Sequence, residues 1–465
     1  MNDSYDVLVI GAGPAGTAAA VTAAELGARV ALVDDVRTGG TCVNTGCVPT
    51  RVLAKTARLV REVRTADAYG ITVADPRIDW PATVHRVRET VERVRAVKAD
   101  AERVAAVGVD LVLEGRARFV GPHEVELAGS GRRLRGESVI LAVGGHTRRL
   151  PVPGAELATL PEHVLDLPGL PARVAIVGAG NTGAQLVTIF NAFGAQVTLL
   201  EVAPRILAAT DADVSAGVAE AFTEQGVRVE TGIETVVGLA RTDGGIRLAW
   251  RGAGGEEAEE HDVVVMAAGW PAQVDGLDLE AAGVRTERGW IPVDDQLRSE
   301  VPHVFVAGDA NGQAMLVQAA HAEAEVAARN AVLGTSARAP HDLLPSGGFT
   351  DPDYAGVGLT EEQARGRDRE CVVARVPYAD MERPVIDDRT RGFLKLVADR
   401  HGELLLGAHA VGEHAVEVVQ AVTTAMAAGI DVATLARLEF AYPTYSAVIG
   451  AAARQLLGRP AHRHG

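Results

Sequence analysis

Short apolar runs recur along the chain, and several of them end on glycine. Asp6-Val7-Leu8-Val9-Ile10 runs into Gly11-Ala12-Gly13-Pro14-Ala15-Gly16. An Ala-rich stretch follows to about Leu26, and Ala28-Arg29-Val30-Ala31-Leu32-Val33 resumes the apolar pattern. Unbroken apolar runs of this length predict buried strands, and the longer stretch between them predicts a helix. The same order returns later. Val174-Ala175-Ile176-Val177 leads into Gly178-Ala179-Gly180-Asn181-Thr182-Gly183, a helix to about Phe193, and then Gln196-Val197-Thr198-Leu199-Leu200. Between the copies, residues 51–115 read as largely helical. Leu111-Val112-Leu113 and Glu124-Val125-Glu126-Leu127 suggest a small meander, and Ser138 to Gly145 is a strand ending on two glycines. Pro151, Pro153 and Gly154 mark a linker. Asp262 to Gly269 ends the second copy, Val304 to Asp309 is a further strand and turn, and Ala319 to Val332 is a long helix.

Each copy carries an acid at the same distance. Asp34 stands 18 positions after Gly16, and Glu201 stands 18 positions after Gly183. In a strand–glycine–helix context, Gly11, Gly13 and Gly16 permit a tight turn, close approach of a pyrophosphate and close helix packing. Gly178, Gly180 and Gly183 do the same in the second copy. The helix N-terminus faces the phosphates and the acid takes a ribose hydroxyl. Two such fingerprints imply two dinucleotides, and therefore electron transfer between them. Glu201 would accept a free ribose 2′-hydroxyl and repel a 2′-phosphate, which favours NAD(H) over NADP(H); Arg205 nearby pulls the other way.

Composition narrows the class. The 465 residues are 47% hydrophobic and 23% charged, as in a globular chain long enough for two to four domains. A net charge of −16 argues against nucleic-acid and anionic-membrane partners. Lys occurs only at 55, 98 and 395, so the basic residues are almost all Arg. No apolar run reaches the roughly 18 residues of a membrane span. The start has no basic, apolar leader pattern, and three cysteines do not make a secreted disulfide scaffold. A cytoplasmic protein is expected, in which a close Cys pair is more often catalytic than structural.

Two of those cysteines lie in Gly39-Gly40-Thr41-Cys42-Val43-Asn44-Thr45-Gly46-Cys47-Val48-Pro49-Thr50-Arg51. A disulfide needs Cα atoms within about 7 Å. Residues five apart on a regular helix are about 8 Å or more from each other. The pair can close only across a bend, which Gly46 permits. Pro49 suits the first turn of a following helix, whose N-terminus would favour a Cys47 thiolate. Two packed core cysteines are the alternative. Cys371, on a predicted strand, reads as core filler.

This segment resembles the redox-active stretch of the flavoprotein pyridine nucleotide-disulfide oxidoreductases, the family of dihydrolipoamide dehydrogenase, glutathione reductase and mercuric reductase. Val143-Gly144-Gly145, Ala267-Ala268-Gly269 and Phe305-Val306-Ala307-Gly308-Asp309 resemble further motifs of that family, and so does the region from Phe349-Thr350-Asp351-Pro352 to Glu417. The resemblance implies an α/β fold of two Rossmann-like dinucleotide-binding domains plus an α+β dimerisation domain. Its parts would be 1–150 and 270–340 for FAD, 151–269 for NAD(H), and 345–465 for the interface of a homodimer. Gly11, Gly13, Gly16, Asp34, Thr41, Gly144 and Asp309 would hold FAD, with Asp309 on the ribityl chain. Gly178, Gly180, Gly183, Glu201 and Gly269 would serve the nicotinamide nucleotide. Cys42 and Cys47 would form the redox disulfide, Cys47 facing the flavin and Cys42 attacking the acceptor.

The pattern breaks at five positions. The family's His-Pro-Thr segment and following Glu supply an acid/base pair from the other subunit. Here Tyr442 stands for the His and Ala447 for the Glu. A phenol with a pKa of about 10 is a poor proton shuttle at neutral pH. The family's Lys–Glu pair by the flavin is Arg51 and Gln185 here, and an Arg after Gly269 is Trp270, which reads as a surface change. Mercuric reductases also lack the His and use tyrosines in this region, which brings in Tyr442 and Tyr445. They end on a Cys pair, whereas this chain ends with His462 and His464, read as a solvated tail. No resident metal is expected. The reading is an oxidoreductase passing electrons from NADH through FAD to Cys42–Cys47 and on to a small-molecule acceptor, a disulfide or another thiol-reactive compound. The alternatives are a metal-ion or quinone reductase, a flavin dehydrogenase that leaves the disulfide unused, and last a non-enzymatic redox sensor.

Overall fold

The computed structural model describes residues 3–35, 37–367 and 370–458. The chain divides into two compact units, each discontinuous. The first comprises residues up to Val52, Val84–Arg148 and Gly269–His341. The second comprises Leu53–Thr83, Arg149–Ala268 and residues from Asp342 on.

The chain opens with β1 (Ser4–Ile10), α1 (Pro14–Glu25), β2 (Val30–Val33), α2 (Gly40–Asn44) and α3 (Cys47–Arg64). Helices α4 (Trp80–Lys98) and α5 (Asp100–Ala106) follow. Four strands come next: β3 (Asp110–Val112), β4 (Ala117–Gly121), β5 (Glu124–Leu127) and β6 (Arg133–Leu141). The sheet of the first unit runs β3-β2-β1-β6-β5-β4. Val7 to Ile10 are at most 4% exposed because a parallel sheet is covered on both faces, which is why β1 reads as an unbroken apolar run. Strand β6 does double duty. Its end pairs parallel with β1, while its start pairs antiparallel with β5. The sequence placed Leu111-Val112-Leu113 in a meander; instead β3 is a parallel edge strand on β2. A run of three apolar residues carries no period that could distinguish the two. The meander is β4-β5-β6.

Next come β7 (Arg173–Val177), α6 (Asn181–Ala192), β8 (Gln196–Glu201), α7 (Ala212–Glu224), β9 (Arg228–Thr231), β10 (Thr235–Thr242), β11 (Gly245–Gly252), β12 (Gly255–His261) and β13 (Val263–Met266). They make a parallel sheet β13-β7-β8-β9 and an antiparallel sheet β10-β11-β12 in the second unit. The chain then returns to the first unit with β14 (Val304–Val306), parallel to β6, and α8 (Val317–Leu333). Ala15, Ala19, Ala20 and Ala23 of α1 share one buried cluster with Ala320, Ala324, Ala327 and Ala328 of α8. Side chains this small let the two helices lie close together.

The remainder of the second unit holds β15 (Ser346–Gly348), β16 (Tyr354–Gly358), α9 (Glu361–Gly366), β17 (Cys371–Pro377), α10 (Glu382–Ile386), β18 (Gly392–Asp399), β19 (Leu405–Gly412), α11 (Ala415–Ala427), α12 (Val432–Arg437) and α13 (Ala447–Leu456). Its antiparallel sheet runs β15-β16-β19-β18-β17. Lys395 on β18 is 3% exposed, and its ammonium meets Asp211 at 3.1 Å, Asp213 at 2.9 Å and Glu361 at 2.7 Å. Cys371, read as core filler, is half-buried at the start of β17.

Candidate redox site

The first unit builds its site from the carboxyl end of β1. A Cβ on Gly11 would lie 2.3 Å from the Ala142 carbonyl oxygen, and one on Gly16 would lie 1.7 Å from that of Gly11. Only glycine fits either position. Gly13 caps α1 without a side-chain hydrogen bond, so the helix amides remain directed at whatever binds there. Asp34 at the end of β2 accepts the amides of Ala12 and Asp35. Burial pushes its carboxyl above the ordinary range, against the effect of those amides. A close-fitting glycine cradle, an uncapped helix end and a tethered acid fit the diphosphate and ribose of FAD.

The cysteine segment packs directly on this cradle. The Gly39 amide donates to the Ala12 carbonyl at 2.9 Å, and a Cβ on Gly40 would lie 2.7 Å from Gly13 Cα. Helix α2 stops at Asn44. The amides of Thr45 and Gly46 both turn back to the Thr41 carbonyl, at 3.0 and 2.7 Å, and α3 starts afresh at Cys47. A Cβ on Gly46 would sit 3.1 Å from the Thr41 oxygen, so this jog leaves almost no room for a side chain. The jog returns Cys47 towards Cys42. Both are thiols here, Cys42 half-buried and Cys47 exposed, and they are hydrogen-bonded to each other. That bond holds the Cys47 thiol down, to about 7, against partial desolvation of its sulfur and the Asp309 charge. It holds the Cys42 thiol far up, with burial adding to the rise. Thr41 and Arg51 are exposed on α2 and α3.

Asp309 lies in the turn after β14. The Gly308 amide and the Asn311 side chain both donate to Glu323, at 2.7 Å each. Glu323 is fully buried, and His341 meets its other oxygen at 2.7 Å. Trp270, read from sequence as a surface change, is partly buried and donates its indole N–H to Asp309 at 2.8 Å. Gly144 and Gly269 both have left-handed backbone, φ +68° and +121°. Their segments are laced together by bonds from Gln273 to Gly144 and from Arg148 to Gly269.

The second unit repeats the cradle. A Cβ on Gly178 would lie 2.4 Å from the Ala267 oxygen, and one on Gly183 would lie 1.9 Å from that of Gly178, whereas Gly180 opens on free space. Glu201 accepts the amides of Ala179 at 2.6 Å and Ala203 at 2.8 Å. Arg205 donates to the carbonyls of Ala208 and Thr210, at 3.0 and 3.2 Å. Gln185 donates to the Asn181 carbonyl one turn back on α6. In the same unit Tyr442 is 68% exposed. Tyr445, paired with it in the sequence reading, instead lies in the buried core, its ring against Tyr378 and His414 and its hydroxyl 3.2 Å from Asp387. A ring held this way is packing, and burial pushes its phenol further up. His462 and His464 lie outside the described residues.

Sequence reasoning missed three groups. Arg95 donates to Asn44 at 2.7 Å, tying the last turn of α4 to the redox segment. Lys98, one helical turn on, adds a positive charge that favours both thiolates. The contact of Trp270 with Asp309 is the third. The rarity of lysine in an Arg-rich chain was the one available signal, for Lys98. Among the described residues no three His, Cys, Asp or Glu are placed to hold a metal ion, and no helix is long and apolar enough to cross a membrane.

Comparison with known proteins identifies the family. Residues 5–324 match the pyridine nucleotide-disulphide oxidoreductases, and residues 344–453 match the dimerisation domain of that group. Dihydrolipoyl dehydrogenase of Chlamydia muridarum is 31% identical over 99% of both chains. Dihydrolipoyl dehydrogenase 2 of Haloarcula marismortui is 34% identical over 98% of both. The HOCl-induced flavoprotein disulfide reductase RclA from Escherichia coli superposes with a TM-score of 0.83 at 27% identity, covering 97% of this chain and 99% of RclA. A Cu(II) complex of RclA gives 0.84 at 26%, covering 98% and 100%.

Proposed function

Because this chain belongs to the pyridine nucleotide-disulphide oxidoreductase family of flavin-dependent enzymes, we propose that it carries electrons from NADH to a thiol-reactive acceptor through Cys42 and Cys47. It works as a cytoplasmic homodimer, with FAD on residues 1–150 and 270–340, NAD(H) on 151–269 and the interface on 345–465. The observation that carries the reading is the seat of the cysteine pair on the FAD cradle, through Gly39 to Ala12 and Gly40 against Gly13. FAD, when bound there, supplies the two-electron relay between nicotinamide and sulfur. Two electrons and two protons open the disulfide to two thiols. Cys47 gives up its proton near neutrality; its thiolate then takes the Cys42 proton across the hydrogen bond between them, which leaves Cys42 as the thiolate that attacks the acceptor. Arg51 and Gln185 stand where the family carries Lys and Glu, so Gln185 brings one negative charge fewer.

The test is anaerobic titration with NADH followed by thiol counting. Wild type should gain two thiols per subunit. A Cys42→Ser variant should gain none and lose acceptor turnover. Unchanged turnover in that variant would overturn the relay. Glu201, with both oxygens on backbone amides, and Arg205, committed to two carbonyls, support NADH as donor. NADPH should give at least tenfold lower kcat/KM, and equal values would refute the preference.

A second reading takes Cu(II) as acceptor. It is favoured by the Cu(II) complex of a relative and by a dithiol that lacks the usual His–Glu pair. Two Cu(II) ions would accept the two electrons released as the dithiol closes. NADH oxidation stimulated by Cu(II) but not by small disulfides would select this reading.

A further inference from the structure

We infer that Trp270 is a positioning residue for FAD, fixing the Asp309 carboxylate by an indole hydrogen bond and supported by a second tryptophan, Trp290. The inference rests on the reading of Asp309 as a flavin anchor.

Two backbone segments hold Trp270 in place. Residues 144–148 and 269–273 pair side by side, with His146 donating to Pro271 at 3.0 Å, Gln273 to Gly144 at 2.9 Å and Arg148 to Gly269 at 3.1 Å. Gly145 leaves the room that the indole fills. A Cβ there would lie 2.3 Å from Trp270 Nε1 and 2.5 Å from its Cδ1. The indole N–H then reaches Asp309 Oδ2 at 2.8 Å. Trp290 donates to the Trp270 carbonyl at 3.1 Å, and its ring covers Gly312, where a Cβ would lie 2.4 Å away. Gly312 ends the turn that carries Asp309. One tryptophan therefore supports the other and closes over the turn that presents the carboxylate.

The chemistry follows from what an indole can do. It donates one hydrogen bond and accepts none. Engaging Oδ2, it leaves Oδ1 as acceptor for a polyol hydroxyl and blocks rotation of the carboxylate. An acid oriented before the ligand arrives loses less freedom when the ligand binds. A charge-assisted bond of this kind makes a difference of about tenfold or more when removed.

The experiment titrates apoprotein with FAD, following flavin fluorescence. Trp270→Phe keeps the ring and removes the donor. Gly145→Ala keeps the indole and pushes it away from Asp309. Both should raise the FAD Kd about tenfold or more, with circular dichroism of the apoprotein unchanged. Trp290→Phe leaves the indole in place and should raise it less. The double variant Trp270→Phe/Asp309→Ala should bind no more weakly than Asp309→Ala alone, since the two act through one contact. If Trp270→Phe and Gly145→Ala bind FAD as wild type does while Asp309→Ala binds weakly, the positioning role is overturned. If Asp309→Ala itself binds as wild type does, the reading of Asp309 as anchor is the one that fails.

Discussion

Cys42 and Cys47 differ because a single hydrogen bond between them assigns the proton to Cys42, and burial and charge adjust the result. Alkylation of Cys47 in the reduced protein should therefore rise tenfold per pH unit up to about 7 and level off above it. Peptide mapping after timed iodoacetamide treatment checks this, and a midpoint near that of an ordinary thiol would refute it. Cys42→Ala removes the donor and should move the midpoint up; Lys98→Met should move it the same way by less. At the other end of the chain, the proposed function takes Tyr442 and Ala447 to replace an acid/base pair. If that loss limits disulfide chemistry, the double substitution Tyr442→His/Ala447→Glu should raise turnover of a small disulfide at least tenfold. Unchanged turnover would place the limit elsewhere. Tyr445 should not respond in this way, because its hydroxyl is held by Asp387 inside the core. These residue identities were legible in the sequence. Their partners were not: Trp270 and Asp309 lie 39 positions apart, and no local pattern announces the bond.

At the scale of elements, the two strand–glycine turn–helix segments read correctly because their constraint is local. The clash at Gly16 comes from an oxygen only five residues back. Gly16→Ala should abolish FAD retention on gel filtration, whereas alanine at Gly27, which has no heavy atom within 4 Å but a φ of +91°, should cost stability alone. Strand β3 was misread because its pairing partner, β2, lies far back in the chain and three residues carry no register. Lys395 was legible only as a rare lysine. In the structure it joins β18 to Asp211 at the start of α7 and to Glu361 at the start of α9. Removing one partner of a buried ion cluster leaves uncompensated charge, so Lys395→Met should lower stability by about 3–5 kcal/mol. Denaturant unfolding measures it. Asp211 is buried, which alone would raise its carboxyl, yet His409 and Lys395 bring it below the ordinary range. Its contribution is thus present above the ordinary carboxylate pKa and is lost as pH falls through the depressed value. Lys395→Met should flatten the acid limb of stability against pH.

At the scale of the molecule, two βαβ copies made the architecture legible, since each repeat carries its own punctuation. The discontinuity of the units was harder to see, because it depends on which distant strands pair. Strand β6 ends at Leu141, and its partner β14 begins at Val304. The intervening chain includes the β7–β13 segment, which belongs to the other unit. The ribosome therefore completes one edge of the first sheet and delivers its covering strand more than 150 residues later. During that interval the end of β6, with Val139 to Leu141 wholly buried in the finished fold, offers open backbone groups to any passing strand. A chain stopped after Ala268 should pellet where the full chain stays in solution, and adding back residues 269–341 in trans should rescue part of it. For this enzyme, synthesis is exposed to aggregation until the last strand of the first unit's sheet has left the exit tunnel.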